Sequence, residues 1–200
     1  MNIKDFESTE KDVKDVIGKI FKRQRELMEK YSIIEGIPSW PLNIDLKESQ
    51  VWLKDFLWRC TEELTEAWEA YLDDNMEHFH EELIDYLHFA TELCILSGIN
   101  ETDVDNIDGE IAIDEVGDNV KAKMFGVIYE LGLVGNLLKN KKWKQTQILT
   151  DIKKYRSYLI TAYNTGLNLL MDCCGLSADD IYNFYFKKSE VNKFRQRSKY

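Results

Sequence analysis

The sequence predicts an all-α fold: a helical bundle of about five to six helices with a four-carboxylate metal site on a central antiparallel helix pair. Three observations carry this. The 200 residues include only 2 prolines and 10 glycines, so helix breakers are scarce. Apolar residues recur at spacings of three and four over long stretches. Strand-like alternation is confined to Glu110–Asp114. With 44% hydrophobic and 31% charged residues, the chain has the composition of a soluble globular protein. It is expected to form a single domain over residues 1–200, with 99–174 as a candidate helical insertion.

The first helix is expected from Glu10 to about Tyr31, opened by Thr9 and marked by Val13, Val16, Ile17, Ile20, Leu27 and Met28. Gly36, Pro38 and Pro41 break the pattern, so Ser32 to about Lys47 reads as a loop. A second helix runs from about Ser49 to Leu72, turns at Asp73-Asp74-Asn75, and is followed by a third from Met76 to Ser97 that stops at Gly98. Ile99–Gly117 reads as an acidic, structureless linker. A fourth helix follows from about Asp118 to Lys139 and a fifth from about Lys144 to Cys174. Ser177 then caps a short helix, Ala178 to about Lys187, and a basic polar tail ends the chain.

The net charge of −10 repels nucleic-acid backbones and argues against a nucleic-acid partner. It leaves a nucleotide substrate open, because Mg²⁺ can bridge carboxylates to phosphates. No segment reads as a membrane span, and Met1–Asp5 lacks the apolar stretch of a secretory signal. Cys60, Cys94, Cys173 and Cys174 form no C-x-x-C and read as small core residues in a reducing compartment. A cytoplasmic location is therefore expected.

The second and third helices carry the chemistry. Glu63 and Glu66 are three residues apart and share one helix face, as do Glu82 and Asp85. Asp74 lies midway between Glu66 and Glu82, and also midway between Glu63 and Asp85. A reversal at Asp74 therefore sets Glu66 level with Glu82 and Glu63 level with Asp85. These acids flank apolar stripes: Phe56, Cys60, Leu64 and Ala67 on one helix, Phe79, Leu83, Tyr86 and Leu87 on the other. Four converging carboxylates either raise their pKa values or recruit cations. A hard divalent ion with oxygen ligands is the simplest solution, and Mg²⁺ is the usual one for phosphate chemistry.

The run Glu62-Glu63-x-x-Glu66 followed by Glu82-x-x-Asp85 resembles the E-E-x-x-E … E-x-x-D signature of MazG-like all-α pyrophosphohydrolases. The C-terminus is similar to the K-N-x-x-N-x-x-R-Q-x-x-G-Y tail of dimeric dUTPases and related viral dCTP/dUTP pyrophosphatases. Lys188, Asn192, Arg195, Gln196 and Tyr200 match it, whereas Ser189 stands for Asn and Lys199 for Gly. Gln24 and Leu27 resemble the family's first-helix Q-x-x-L-N, with Met28 in place of Asn. The likeness spans the first helix, Trp52–Gly98 and Asp180–Tyr200.

This resemblance implies a homodimer that hydrolyses a dNTP to the monophosphate and pyrophosphate. dUTP is the leading substrate, and dCTP or a broader dNTP range is the alternative. Glu63, Glu66, Glu82 and Asp85 would hold two or three Mg²⁺, with Glu63 or Glu66 taking the proton of the attacking water. Lys188 and Arg195 would meet the phosphates and Gln24 and Asn192 the base or sugar; Gln196 and Tyr200 complete the matched tail. A ring such as Trp68 would stack on the base or wall the pocket, or else serve as a core tryptophan.

Three other readings compete. Glu77-x-x-His80 and Asp85-x-x-His88 mimic a di-iron motif, but both copies lie on one helix, whereas such bundles need two. Val104–Glu115 resembles an EF-hand loop whose first ligand position is a valine, which cannot coordinate. A non-enzymatic helical interaction protein would account for the 12% aromatic content.

Overall fold

The computed structural model describes residues 10–105 and 119–197 and, within them, all side chains except those of 10–14, 31–33, 35, 105 and 195–197. The described residues form seven α-helices and no strand: α1 (Glu10–Glu35), α2 (Lys47–Leu72), α3 (Met76–Leu96), α4 (Glu101–Asp105), α5 (Val120–Leu137), α6 (Ile152–Asn168) and α7 (Ala178–Arg197). The bundle has three helix pairs. α2–α3 is central, α1 pairs with α7, and α5 pairs with α6. α3 also touches α1, α6 and α7, while α5 leans on α2. That position explains the composition of α3, where Glu82–Tyr86 and Leu87–Ser97 are buried almost continuously and the helix is apolar on nearly every side.

The central hairpin forms as expected. Asp74 is the turning residue, with φ +58. Asn75 caps α3 by accepting from His78 N at 3.3 Å. Gly98 ends the element with φ +71, a backbone conformation that costs glycine little. The preceding loop is anchored by Leu42 N donating to Leu96 O at 2.8 Å.

Three expectations need correction. The stretch after Ile99 is not wholly structureless, because Glu101–Asp105 form α4. Asp103 Oδ2 accepts from Asn100 N at 2.8 Å and from Arg156 Nη2 at 2.9 Å, which nucleates that turn. The acidic loop and the strand-like Glu110–Asp114 lie mostly or wholly outside the described residues. The helix expected from Lys144 begins instead at Ile152, where Asp151 caps it by accepting from Lys154 N at 3.1 Å. It closes in a π-helical segment, Leu169–Cys173.

The C-terminal helix is the third correction. It does not stop near Lys187 but continues to Arg197. Its inner face is Ile181, Tyr185, Ser189 and Lys193, all buried and spaced four apart. Two of those four residues are polar, so apolar periodicity ends before the helix does.

Candidate active site

Three of the expected acids converge. Glu63, Glu66 and Glu82 each offer a carboxylate oxygen, and these atoms lie within 4.8 Å of one another. α2 supplies the first two from adjacent turns and α3 supplies the third across the hairpin. Glu62 turns away and accepts from Trp58 Nε1 at 2.7 Å. Asp85 stands beside Glu63, close enough to disfavour its charge, and its Oδ2 accepts from Lys188 Nζ of α7.

The electrostatics of this cluster would suit a cation. Partial burial pushes the Glu63 carboxyl up to about 8, aided by a hydrogen bond with Glu82 and by the charges of Asp85, Glu82 and Glu66. Glu82 is 7% exposed, with His78 Nδ1 at 3.2 Å from Oε1. Without a cation, the cluster must hold a proton; with one, its oxygens have a use for every charge. The donor set is entirely carboxylate oxygen, which fits Mg²⁺ and disfavours softer metals. The di-iron alternative lacks support: the group contains no histidine, and His88 is buried elsewhere.

Behind the cluster runs a buried polar network that ties α1, α3 and α7. Gln24 Nε2 donates to Glu92 Oε2 at 2.9 Å. Gln24 Oε1 accepts from Tyr185 Oη at 2.6 Å, and His88 Nδ1 lies 3.1 Å from the same oxygen. His88 Nε2 faces Tyr185 O at 3.2 Å, and its ring stacks on Tyr185 with centroids 3.7 Å apart. The Gln24 amide is thus engaged on both ends by protein. A nucleobase reaches it only by displacing Tyr185 or Glu92.

The remaining sequence candidates are dispersed. Trp68 is half-buried and stacks on Tyr71 at 5.4 Å. Lys188 reaches Asp85, and Asn192 lies half-buried one turn further along α7. Arg195 and Gln196 belong to α7, but their side chains, like the whole of Tyr200, lie outside the described residues.

Sequence reasoning missed Arg23 and Glu92. Arg23 Nε donates to Ser189 Oγ at 3.1 Å, its guanidinium pairs with Glu190, and it sits 4.6 Å over the Phe186 ring. It clamps α7 to α1 beside Gln24. The available signal was a charged residue adjoining the first-helix amide. For Glu92, it was an acid set within the apolar run Phe89–Leu96.

Among the described residues, no helix is long and apolar enough to cross a membrane. No curated protein and no solved structure matches the chain. A family model described as dUTPase matches residues 16–200, which includes the carboxylate hairpin, α1 from Val16 onward with Gln24, and the whole of α7. The chain belongs to this all-α dUTPase family, whose members are nucleoside triphosphate pyrophosphohydrolases.

Proposed function

We propose that the protein converts dUTP and water to dUMP and pyrophosphate with Mg²⁺ held by Glu63, Glu66, Glu82 and Asp85. The observation that carries the reading is the convergence of Glu63, Glu66 and Glu82 within 4.8 Å at the hairpin of a chain matched by the dUTPase family. Bound there, two or three Mg²⁺ ions would neutralise the triphosphate and lower the pKa of a coordinated water. Glu63 or Glu66 accepts the proton of the attacking water.

Lys188, which pairs with Asp85, would meet the phosphates, and Arg195 follows it two turns along α7. Asn192 is assigned to the base or sugar and Trp68 to the base face, with Gln196 and Tyr200 completing the C-terminal contacts; Gln24 joins the base or sugar contacts only if substrate displaces Tyr185 or Glu92 from its amide. The test is pyrophosphate release from dUTP, dCTP and the other common dNTPs at equal concentration, with Mg²⁺ and with chelator. The reading expects a Mg²⁺-dependent preference for dUTP and loss of orders of magnitude in Glu82→Ala. Equal rates with and without chelator would overturn it; a purine nucleotide turned over fastest would reduce it to the broader pyrophosphohydrolase activity.

A symmetric homodimer is part of the same reading. Phe125, Ile128 and Tyr129 stand exposed along α5, and this face suits a twofold contact. Sedimentation at micromolar concentration should give twice 23.6 kDa; a monomer there removes the dimer from the proposal.

A further inference from the structure

A second concave site lies away from the carboxylates, where the α5–α6 connection crosses the start of α2. It is a cavity of about 710 Å³, within the usual size of small-molecule sites. Lys54, Lys139, Lys141, Lys142 and Lys144 line it together with Trp143, and none of its lining residues is acidic. Lys54 precedes Glu63 by nine residues of the same helix, so the two sites are about 13 Å apart along its axis.

The cations are concentrated by the backbone. Lys144 N donates to Lys141 O at 3.0 Å, closing a tight turn that carries three lysines and the tryptophan. None of the five lysines forms an ion pair among the described residues. Burial lowers the Lys54 pKa, and Lys141 and Lys144 add to the effect. Five lysines lining one pocket, in a chain of net charge −10, make a local positive field suited to an anion.

The floor is rigid. Asn140 is 2% exposed; its Nδ2 donates to Asp45 O at 2.8 Å and to Ile148 O at 2.7 Å, and its Oδ1 accepts from Ile148 N at 2.8 Å. Gln50 Oε1 accepts from Asn140 N at 2.7 Å, locking the turn to α2. The nearby carboxylate, Asp45, is already engaged by Thr150 N at 2.7 Å. The Trp143 side chain is 76% exposed, with Lys141 Nζ 4.9 Å from its ring centroid on one side. An open indole face beside ammonium groups suits an aromatic base carried on phosphates.

We propose that this lysine–tryptophan pocket is a second ligand site, for a nucleoside polyphosphate: the lysines take the phosphates and Trp143 takes the base. The phosphate chemistry is shared with inorganic polyphosphate, and the tryptophan distinguishes the two. The volume of the pocket and the overall negative charge favour a small nucleotide over a nucleic-acid strand.

The experiment is calorimetric titration of the full chain with ATP, inorganic tripolyphosphate and a short single-stranded oligonucleotide, all in chelator. ATP should bind once per chain, and equally well to Glu66→Gln. Lys141→Glu with Lys142→Glu should weaken ATP at least about tenfold, while leaving Mg²⁺-dependent dNTP turnover unchanged as a check of folding. Trp143→Ala should weaken ATP by about fivefold and leave tripolyphosphate unchanged. Absence of ATP binding, ATP binding indifferent to the lysine substitutions, tripolyphosphate binding as tightly as ATP, or binding of the oligonucleotide alone would each overturn the assignment.

Discussion

Replacing His88 by glutamine should remove part of the protein's sensitivity to acid. Burial holds the His88 pKa at about 3, with Lys188 and Arg23 acting in the same direction and the Tyr185 carbonyl opposing. In the unfolded chain the ring returns to 6.5. The folded pKa is thus depressed: between these values the unfolded state binds a proton that the folded state refuses. The associated stability is fully present above pH 6.5 and is lost progressively as the pH falls toward 3. At pH 5.5 the unfolded imidazole is roughly nine-tenths protonated and the buried one essentially neutral, a difference of about 1.4 kcal/mol relative to pH 7.5. Glu63, with its raised pKa, works in the opposite direction, being less costly when protonated, but it is common to both proteins and cancels in the comparison. Urea unfolding of the wild type and of His88→Gln at pH 7.5 and 5.5 measures the effect. The wild type should lose about 1.4 kcal/mol more than the variant. Equal losses would mean that His88 is protonated in the folded protein, and that its two facing carbonyl oxygens outweigh burial.

Gly166→Ala tests the packing of α6 on α3: a Cβ there would come within 2.2 Å of Cε1 of the buried Tyr86, whose hydroxyl is held by Ala162 O at 2.9 Å. Overpacking of about 3 kcal/mol should exceed the roughly 1 kcal/mol gained in helix propensity, so a melting temperature above wild type would refute the geometry. Lys188→Met should lower kcat/KM for dUTP by about a hundredfold while circular dichroism stays unchanged; near-wild-type turnover would remove Lys188 from the phosphate site. Asn140→Ala breaks three bonds, two that close the connection on Ile148 and one that ties it to Asp45, and should cost about 2–4 kcal/mol, or roughly 4–16 °C in thermal melting. A melting curve within a degree of wild type would show that the connection is held by other contacts.

The parts of the fold legible in the sequence are those whose information is local. The α2–α3 hairpin announces itself through helical periodicity, a turn of Asp and Asn, and acids placed symmetrically about Asp74. Local pattern fails where a distant residue decides the outcome. Lys144–Thr150 looks helical in isolation, yet Asp45, 105 positions away, captures the backbone of Thr150. The end of α7 looks like a polar tail, yet Ser189 lies against Arg23, a residue 166 positions away. Gln24 was legible as a candidate for the base, but its engagement by Glu92 and Tyr185 was not, since hydrogen-bond partners across 68 and 161 residues leave no periodic trace.

The pairing of α1 with α7 also sets an order of events during synthesis. α1 emerges early, with Val16, Ile17, Ile20 and Phe21 ready for burial, but the surface that covers them is completed only when α7 has been made. Until then the ribosome-bound chain presents an amphipathic helix without its companion, the kind of transiently exposed surface that chaperones hold and that drives aggregation. The Arg23–Ser189 and Gln24–Tyr185 contacts therefore form only after α7 has been made, and the Gln24 network waits for that helix to reach α1 and α3.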